Sequence, residues 1–218
     1  MNQWKDEWKR EENFAFSGWD FSHLNGRAVS DALPWDYRTE VLDGLQPEHR
    51  ILDMGTGGGE FLMTLGHPYE NTSVTEGYAP NLALCRERLE PLGVEVKESV
   101  AETTLPFEDE KFDRVINRHE SYPIAELWRV LKPGSRFVTQ QVGARNCFEL
   151  RERLGFEMPY CEHDLEHEVA RFKAQGFRIL RAEEKLNRCR FFDTGAVVFQ
   201  AKIIDWEFPG FSVEGRWQ

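Results

Sequence analysis

The stretch Ile51-Leu52-Asp53-Met54-Gly55-Thr56-Gly57-Gly58-Gly59-Glu60 decides how this chain is read. A short apolar run of strand length empties into a turn with four glycines and then into a helical pattern. Glycine has no Cβ and tolerates positive φ, so such a turn lets the backbone approach a ligand closely. The acidic residue Glu76 ends the next apolar run, 23 residues after Asp53. A carboxylate about 20 residues beyond a glycine turn is placed to accept hydrogen bonds from both hydroxyls of a ribose.

Outward from this stretch the chain alternates. Arg50–Asp53, Ser73–Glu76, Val94–Val96, Arg114–Asn117, Arg136–Thr139 and Phe177–Leu180 have strand length, with turns or helices between them. Pro80 opens a run in which Leu82, Cys85 and Leu89 share one helical face, and Ile124, Leu127 and Leu131 mark another helix. Lys132-Pro133-Gly134 is expected to stop that second helix, because proline has no N–H to donate and disfavours a helical residue before it. Leu165, Val169 and Phe172 mark a further helix, ending at Gly176. Strands alternating with helices predict an α/β fold: a doubly wound, mostly parallel sheet with helices on both faces and its ligands beyond the carboxyl ends of the strands. Residues 1–49 lie outside the rhythm. They are rich in aromatics (Trp4, Trp8, Phe14, Phe16, Trp19, Phe21, Trp35, Tyr37) and read as an N-terminal cap that either closes over a ligand or packs on the outside of the sheet.

The 218 residues fit one domain, 1–218, divided into the cap (1–49), a ligand-binding half (50–142) and a substrate-side half with the C-terminal edge (143–218). A net charge of −11 disfavours nucleic acid and anionic lipid as partners. No apolar run approaches the ~20 residues of a membrane span, and the N-terminus has no secretory apolar region, so a cytoplasmic location is expected. Cys85, Cys147, Cys161 and Cys189 form no Cys-x-x-Cys pair and read as reduced thiols.

Two cofactor types suit a glycine turn with a ribose carboxylate, and they differ in charge. A nicotinamide dinucleotide brings a pyrophosphate that wants bare N–H groups. Here Asp53 precedes the turn and Glu60 follows it, which favours a ligand carrying an ammonium and a sulfonium. The spacing G-x-G-G-G also departs from G-x-G-x-x-G, so S-adenosylmethionine is the better match. At this point the sequence resembles the class I S-adenosylmethionine-dependent methyltransferases. Leu52–Gly59 stands where that family has its first motif, Leu105–Val115 is similar to the segment leading into its fourth strand, and Arg129–Phe137 looks like its helix-to-fifth-strand turn. The resemblance covers about residues 50–142 and implies a Rossmann-like methyltransferase fold. It also implies a cofactor site built from Asp53, Gly55, Thr56, Gly57, Glu76 and Gly77, with Ala101 and Glu102 bordering the adenine and Asn117 closing the methionine side. Val100 stands where the family often has an acid, and Glu102 is the possible substitute.

After the fourth strand comes Asn117-Arg118-His119-Glu120-Ser121-Tyr122. His119, with an ordinary pKa of about 6.5, is a candidate base, although displacement at a sulfonium can proceed on positioning alone. Trp35, Tyr37, His119, Glu120 and Tyr122 are the candidate substrate contacts. Cys161, His163 and His167 have partial metal-ligand spacing with no fourth ligand evident, and no metal is expected. The family's final antiparallel strand pair is either missing here or built from residues 196–202. The function expected is methyl transfer to a small-molecule acceptor. The alternatives are a non-catalytic S-adenosylmethionine-binding protein, an RNA methyltransferase and, less favoured, a nicotinamide-dependent oxidoreductase.

Overall fold

In the computed structural model, which describes residues 3–16, 20–99, 104–157 and 164–216, the elements run in chain order as follows. First come α1 (Gln3–Glu12), β1 (Ala28–Ser30), α2 (Tyr37–Leu42), β2 (Ile51–Met54), α3 (Glu60–Leu65), β3 (Thr72–Glu76), α4 (Ala79–Leu89) and β4 (Glu95–Glu98). Then follow β5 (Phe112–Arg118), α5 (Ile124–Val130), β6 (Leu131–Gln140), α6 (Phe148–Leu154), α7 (Leu165–Gln175), β7 (Cys189–Phe191), α8 (Thr194–Ile203) and α9 (Val213–Arg216). They fall into two compact units. One comprises Trp35–Val142 with Glu168–Ala182, the other Met1–Pro34, Gly143–His167 and Glu183–Gln218.

The first unit holds a five-stranded sheet in the order β4-β3-β2-β5-β6, every pairing parallel. Successive residues of a strand point to opposite faces, and the side chains obey that period. Ile51, Val74, Val96 and Ile116 join Tyr37, Val41, Leu62, Leu65, Leu82, Cys85 and Leu89 from α2, α3 and α4 on one face. Leu52, Met54, Phe112 and Val115 join Ile124, Leu127, Val130 and Phe172 from α5 and α7 on the other. The sheet is therefore Rossmann-like, covered by helices on both sides as the sequence predicts.

Four expectations are corrected. Trp35 and Tyr37 belong to the sheet-bearing unit rather than to a cap, because Tyr37 and Val41 of α2 lie in its core. The segment Lys132-Pro133-Gly134 falls inside β6. Helix α5 ends one residue before that strand, whose register jumps between the pairs Phe112↔Leu131 and Arg114↔Arg136, so the Pro-Gly step forms a bulge in an edge strand, where a missing N–H is tolerated. Phe177–Leu180 is not a strand; Phe177 and Ile179 pack against the second face without pairing. Residues 194–203 form helix α8 instead of a final strand. Asp193 caps it by accepting the Ala196 N–H at 2.7 Å, and Gly195, Ala196, Val198, Phe199 and Ala201 are buried. A short apolar run of this kind has no periodicity that separates strand from helix, and packing decided.

In the second unit β1 and β7 form an antiparallel ribbon, with Val29 opposite Arg190. Val198, Ala201, Ile204, Phe208, Phe211 and Val213 make its core. Arg151 and Glu207 are almost fully buried there, paired at 2.6 Å, with Arg151 also donating to the Ala144 carbonyl and Glu207 accepting from Asn146. Removing one member of such a pair strands the other charge. Glu207→Ala is expected to cost about 3–5 kcal/mol in urea unfolding, and the double variant Arg151→Met with Glu207→Leu less than that; strictly additive losses would show that the two side chains are not coupled.

Candidate functional site

The chain leaves β2 outward through β3 to β4, then returns to lay β5 on the other side of β2. A crevice opens beyond the carboxyl ends of strands at such a reversal. Here those ends are Met54 of β2, Glu76 of β3 and Asn117–Arg118 of β5.

The glycine turn is pinned from β3. Gly55 and Thr56 both donate their N–H groups to the Thr75 carbonyl, at 3.0 and 3.2 Å. The buried Glu76 carboxylate accepts the Gly57 N–H through Oε2 and the Tyr78 N–H through Oε1, each at 2.8 Å. Two donors leave a carboxylate with lone pairs to spare for ligand hydroxyls. Cys85 of α4 donates to the Gly57 carbonyl from beneath. Gly55, Gly57 and Gly59 all have φ between 65° and 81°, where a Cβ is strained. At Gly55 the reason is also steric, since a Cβ there would lie 2.6 Å from Cγ of Glu120.

Charge around the turn is negative. Asp53 is 4% exposed, and its carboxyl is pushed up to about 7 by burial and by nearby Glu76, against the Thr56 hydroxyl bonded to it at 2.7 Å and the Arg118 charge. Glu120 lies over Gly55, and burial together with Glu76 raises its carboxyl too. Glu60 lies at the exposed start of α3 and is paired with Arg88 at 2.6 Å. A pyrophosphate brought to this turn would meet Asp53, Glu76 and Glu120, whereas a cation would be attracted. The residues therefore fit S-adenosylmethionine better than a dinucleotide.

Other candidates separate. Asn117 is fully buried; its Oδ1 accepts from Gln141 at 2.6 Å and its carbonyl from the Tyr37 hydroxyl at 2.9 Å, so its side chain ties the ends of β5 and β6 together. Burial raises the Tyr37 phenol well above its usual range. Tyr122 goes to the opposite face, packed on Phe137 and Phe172 with its hydroxyl donating to Glu168. Gly77 is exposed between Glu76 and Tyr78. His167 is paired with Asp164 at 2.9 Å. Ala101, Glu102, Cys161 and His163 lie outside the described residues.

Sequence reasoning missed Gln140, which organises His119. The Trp35 indole N–H can only donate, and it donates to Oε1 of Gln140 at 2.9 Å. The amide NH2 of Gln140 must then face His119 Nε2, 3.5 Å away, which places the ring proton on Nδ1. The backbone repeats the tie, His119 N–H donating to the Gln140 carbonyl at 3.0 Å with His119 at φ 64°. His119 keeps solvent-accessible surface, yet crowding by protein and the adjacent Arg118 charge bring its ring down to about 4, so it is neutral and a weak base. Two consecutive polar residues at the end of an apolar strand were the available signal. Tyr78, 63% exposed beside Glu76, was the other residue overlooked.

Fold and site thus give an α/β domain with a glycine turn and strand-end acids at the reversal of its sheet. Residues 52–139 match the family described as "Methyltransferase domain". It is 38% identical over 88 residues to a phthiotriol/phenolphthiotriol dimycocerosates methyltransferase of Mycobacterium tuberculosis, covering 37% of this chain and 32% of that protein. The Mycobacterium leprae protein of the same description is 40% identical over 95 residues, covering 39% and 34%. The chain therefore spans about a third of the length of the curated relatives it matches. Among solved structures the fold is similar to the (4+2)-cyclase SpnF, with a TM-score of 0.53, 22% identity and coverage of 66% of this chain and 56% of that one. It is also similar to the YcgJ protein from Bacillus subtilis, with a TM-score of 0.50, 22% identity and coverage of 63% and 64%. Among the described residues no helix is long and apolar enough to cross a membrane.

Two outcomes test this geometry. Asp53 keeps its proton to about pH 7 when folded but only to about pH 4 when unfolded, so folded protein binds more protons between those values and stability falls as pH rises through the window. Asp53→Asn is expected to raise Tm over wild type by several degrees at pH 8 and much less at pH 4; equal shifts at both would mean that Asp53 is ionised throughout. Nitrogen NMR of 15N-histidine-labelled protein is expected to show His119 as the Nδ1–H tautomer, lost in Gln140→Leu. An Nε2–H ring in the wild type would overturn the assignment.

Proposed function

We propose that this chain binds S-adenosylmethionine at the carboxyl ends of β2, β3 and β5 and transfers its methyl group to a small-molecule acceptor. The observation that carries the reading is the glycine turn bonded from beneath by Glu76 and bordered by the carboxyls of Asp53 and Glu120. The matched relatives are named for methylating phthiotriol and phenolphthiotriol dimycocerosates, which supports a small-molecule acceptor over nucleic acid. The chain's acidity points the same way.

Bound there, the cofactor supplies a methyl group already activated on a sulfonium. Glu76 is assigned to the ribose hydroxyls, and Gly55, Thr56, Gly57 and Gly77 to close backbone approach. Asp53 sets the negative potential behind the turn and holds Thr56 in place. Asn117 acts from below by fixing the strand ends. His119, neutral and anchored by Gln140, is assigned to orient the acceptor by donating from Nδ1. Positioning of the acceptor by these residues would supply most of the acceleration, because displacement at a sulfonium needs no strong base. Trp35 is held by Gln140 beside His119 and is assigned to the acceptor side. Tyr122 is assigned to packing.

Calorimetry decides the reading. The full chain is expected to bind S-adenosylmethionine and S-adenosylhomocysteine and to leave NADH unbound, and Glu76→Gln to weaken both nucleosides about tenfold through the lost charge on ribose hydrogen bonds. Binding of NADH alone, or of none of the three, would overturn it.

A further inference from the structure

The strand-end carboxyls do not share the same circumstances. Both oxygens of Glu76 accept backbone N–H groups, and Asp53 accepts from the Thr56 hydroxyl. Glu60, outside the turn, is paired with Arg88. The Glu120 carboxyl has no hydrogen-bond or ion-pair partner among the described residues. Only its backbone carbonyl is bonded, accepting from Gln141 at 3.2 Å. Its side chain is nonetheless half-buried and laid across Gly55, with Cβ and Cγ 2.7 and 2.6 Å from where a Gly55 Cβ would stand. Arg118, two residues away, is turned over the Phe61 ring at 4.8 Å. His119, between them, is neutral. A half-buried carboxylate without a partner, beside a second carboxylate, is costly unless something positive completes it.

We infer that Glu120 is the counter-charge of the bound cofactor's sulfonium, and that it makes this site discriminate between the charged methyl donor and its neutral product. The inference rests on the reading of the chain as an S-adenosylmethionine-dependent methyltransferase. In the transfer the acceptor's lone pair forms the new bond to the methyl carbon. The carbon–sulfur bond breaks with its electron pair going to sulfur, and the positive charge passes to the acceptor, which keeps it or releases a proton to water. The sulfur left behind is an uncharged thioether. Glu120 then loses its partner and is again an unpaired carboxylate beside Glu76, a repulsion that favours release of the product. The same Gly55 that permits backbone approach is needed for this, since any side chain there would displace Glu120 from the turn.

The test is calorimetry on the full chain at pH 8 and low salt, with wild type and Glu120→Gln, using three ligands. S-Adenosylmethionine and S-adenosylhomocysteine share adenosine, ammonium and carboxylate and differ in the methyl group and its charge. A third ligand with an ammonium in place of the sulfonium separates charge from methyl contact. Glu120→Gln is expected to weaken S-adenosylmethionine and the ammonium analogue about tenfold, as removal of one close charge pair does, and to leave S-adenosylhomocysteine within twofold. Equal loss for all three ligands, or no loss for any, overturns the inference while leaving the cofactor assignment standing. If wild type binds none of them, the cofactor assignment itself has failed and the inference falls with it. Unchanged Tm in Glu120→Gln shows that the protein measured is folded.

Discussion

A carboxylate taken out of water needs N–H donors, a cation or a proton, and the carboxyl end of this sheet answers that requirement differently at each of three acids. Glu76 takes two backbone N–H groups and in doing so fixes the turn from Gly57 to Tyr78. Asp53, with one hydroxyl donor, is pushed up to about 7. Among the described residues Glu120 has no donor and no cation, and it lies across Gly55. The glycine turn, the direction of the backbone N–H groups and the local potential all follow from how these acids are held. The parallel sheet makes that arrangement possible, because both of its faces are closed by helices and its strand ends stay open to polar groups.

The same economy explains why polar side chains that look reactive in the sequence serve as struts. Asn117 and Tyr37 have their polar atoms consumed by neighbouring strand ends, and Gln141 bridges Asn117, Thr139 and the Glu120 carbonyl. These bonds stiffen the ends of β5 and β6 below the turn. His119 belongs to the same network. Its left-handed backbone and its contact with Gln140 orient a ring whose basicity has been lowered.

Much of this was legible in the residues. The run Ile51–Glu60 and the acid at Glu76 announce a glycine turn and the carboxylate bonded to it because the requirement is local: no Cβ at the turn, a carboxylate at the end of the next strand. The alternation of Ile51 with Leu52 and of Val115 with Ile116 gives a sheet covered on two faces, since the period of a strand is set by covalent geometry. Less legible were segments whose conformation is chosen by their neighbours. Residues 194–203 carry the composition of a strand, yet Asp193 caps them as a helix whose apolar residues are buried. Phe177 and Ile179 supply apolar contacts without joining a ladder.

The sequence by itself therefore determined the class of fold, the position of the glycine turn and the sign of the charge around it, because each depends on residues close together in the chain. Only the tertiary structure decided what each polar group does. Tyr37 and Tyr122 are indistinguishable as candidate contacts in the sequence, but the sheet places them on opposite faces. The tautomer of His119 follows from Trp35 through Gln140, residues 84 and 21 positions away. Glu120 owes its place over Gly55 to the pairing of β5 with β2. Hydrogen-bond partners and burial are set by distances in space, and a linear pattern carries no record of them.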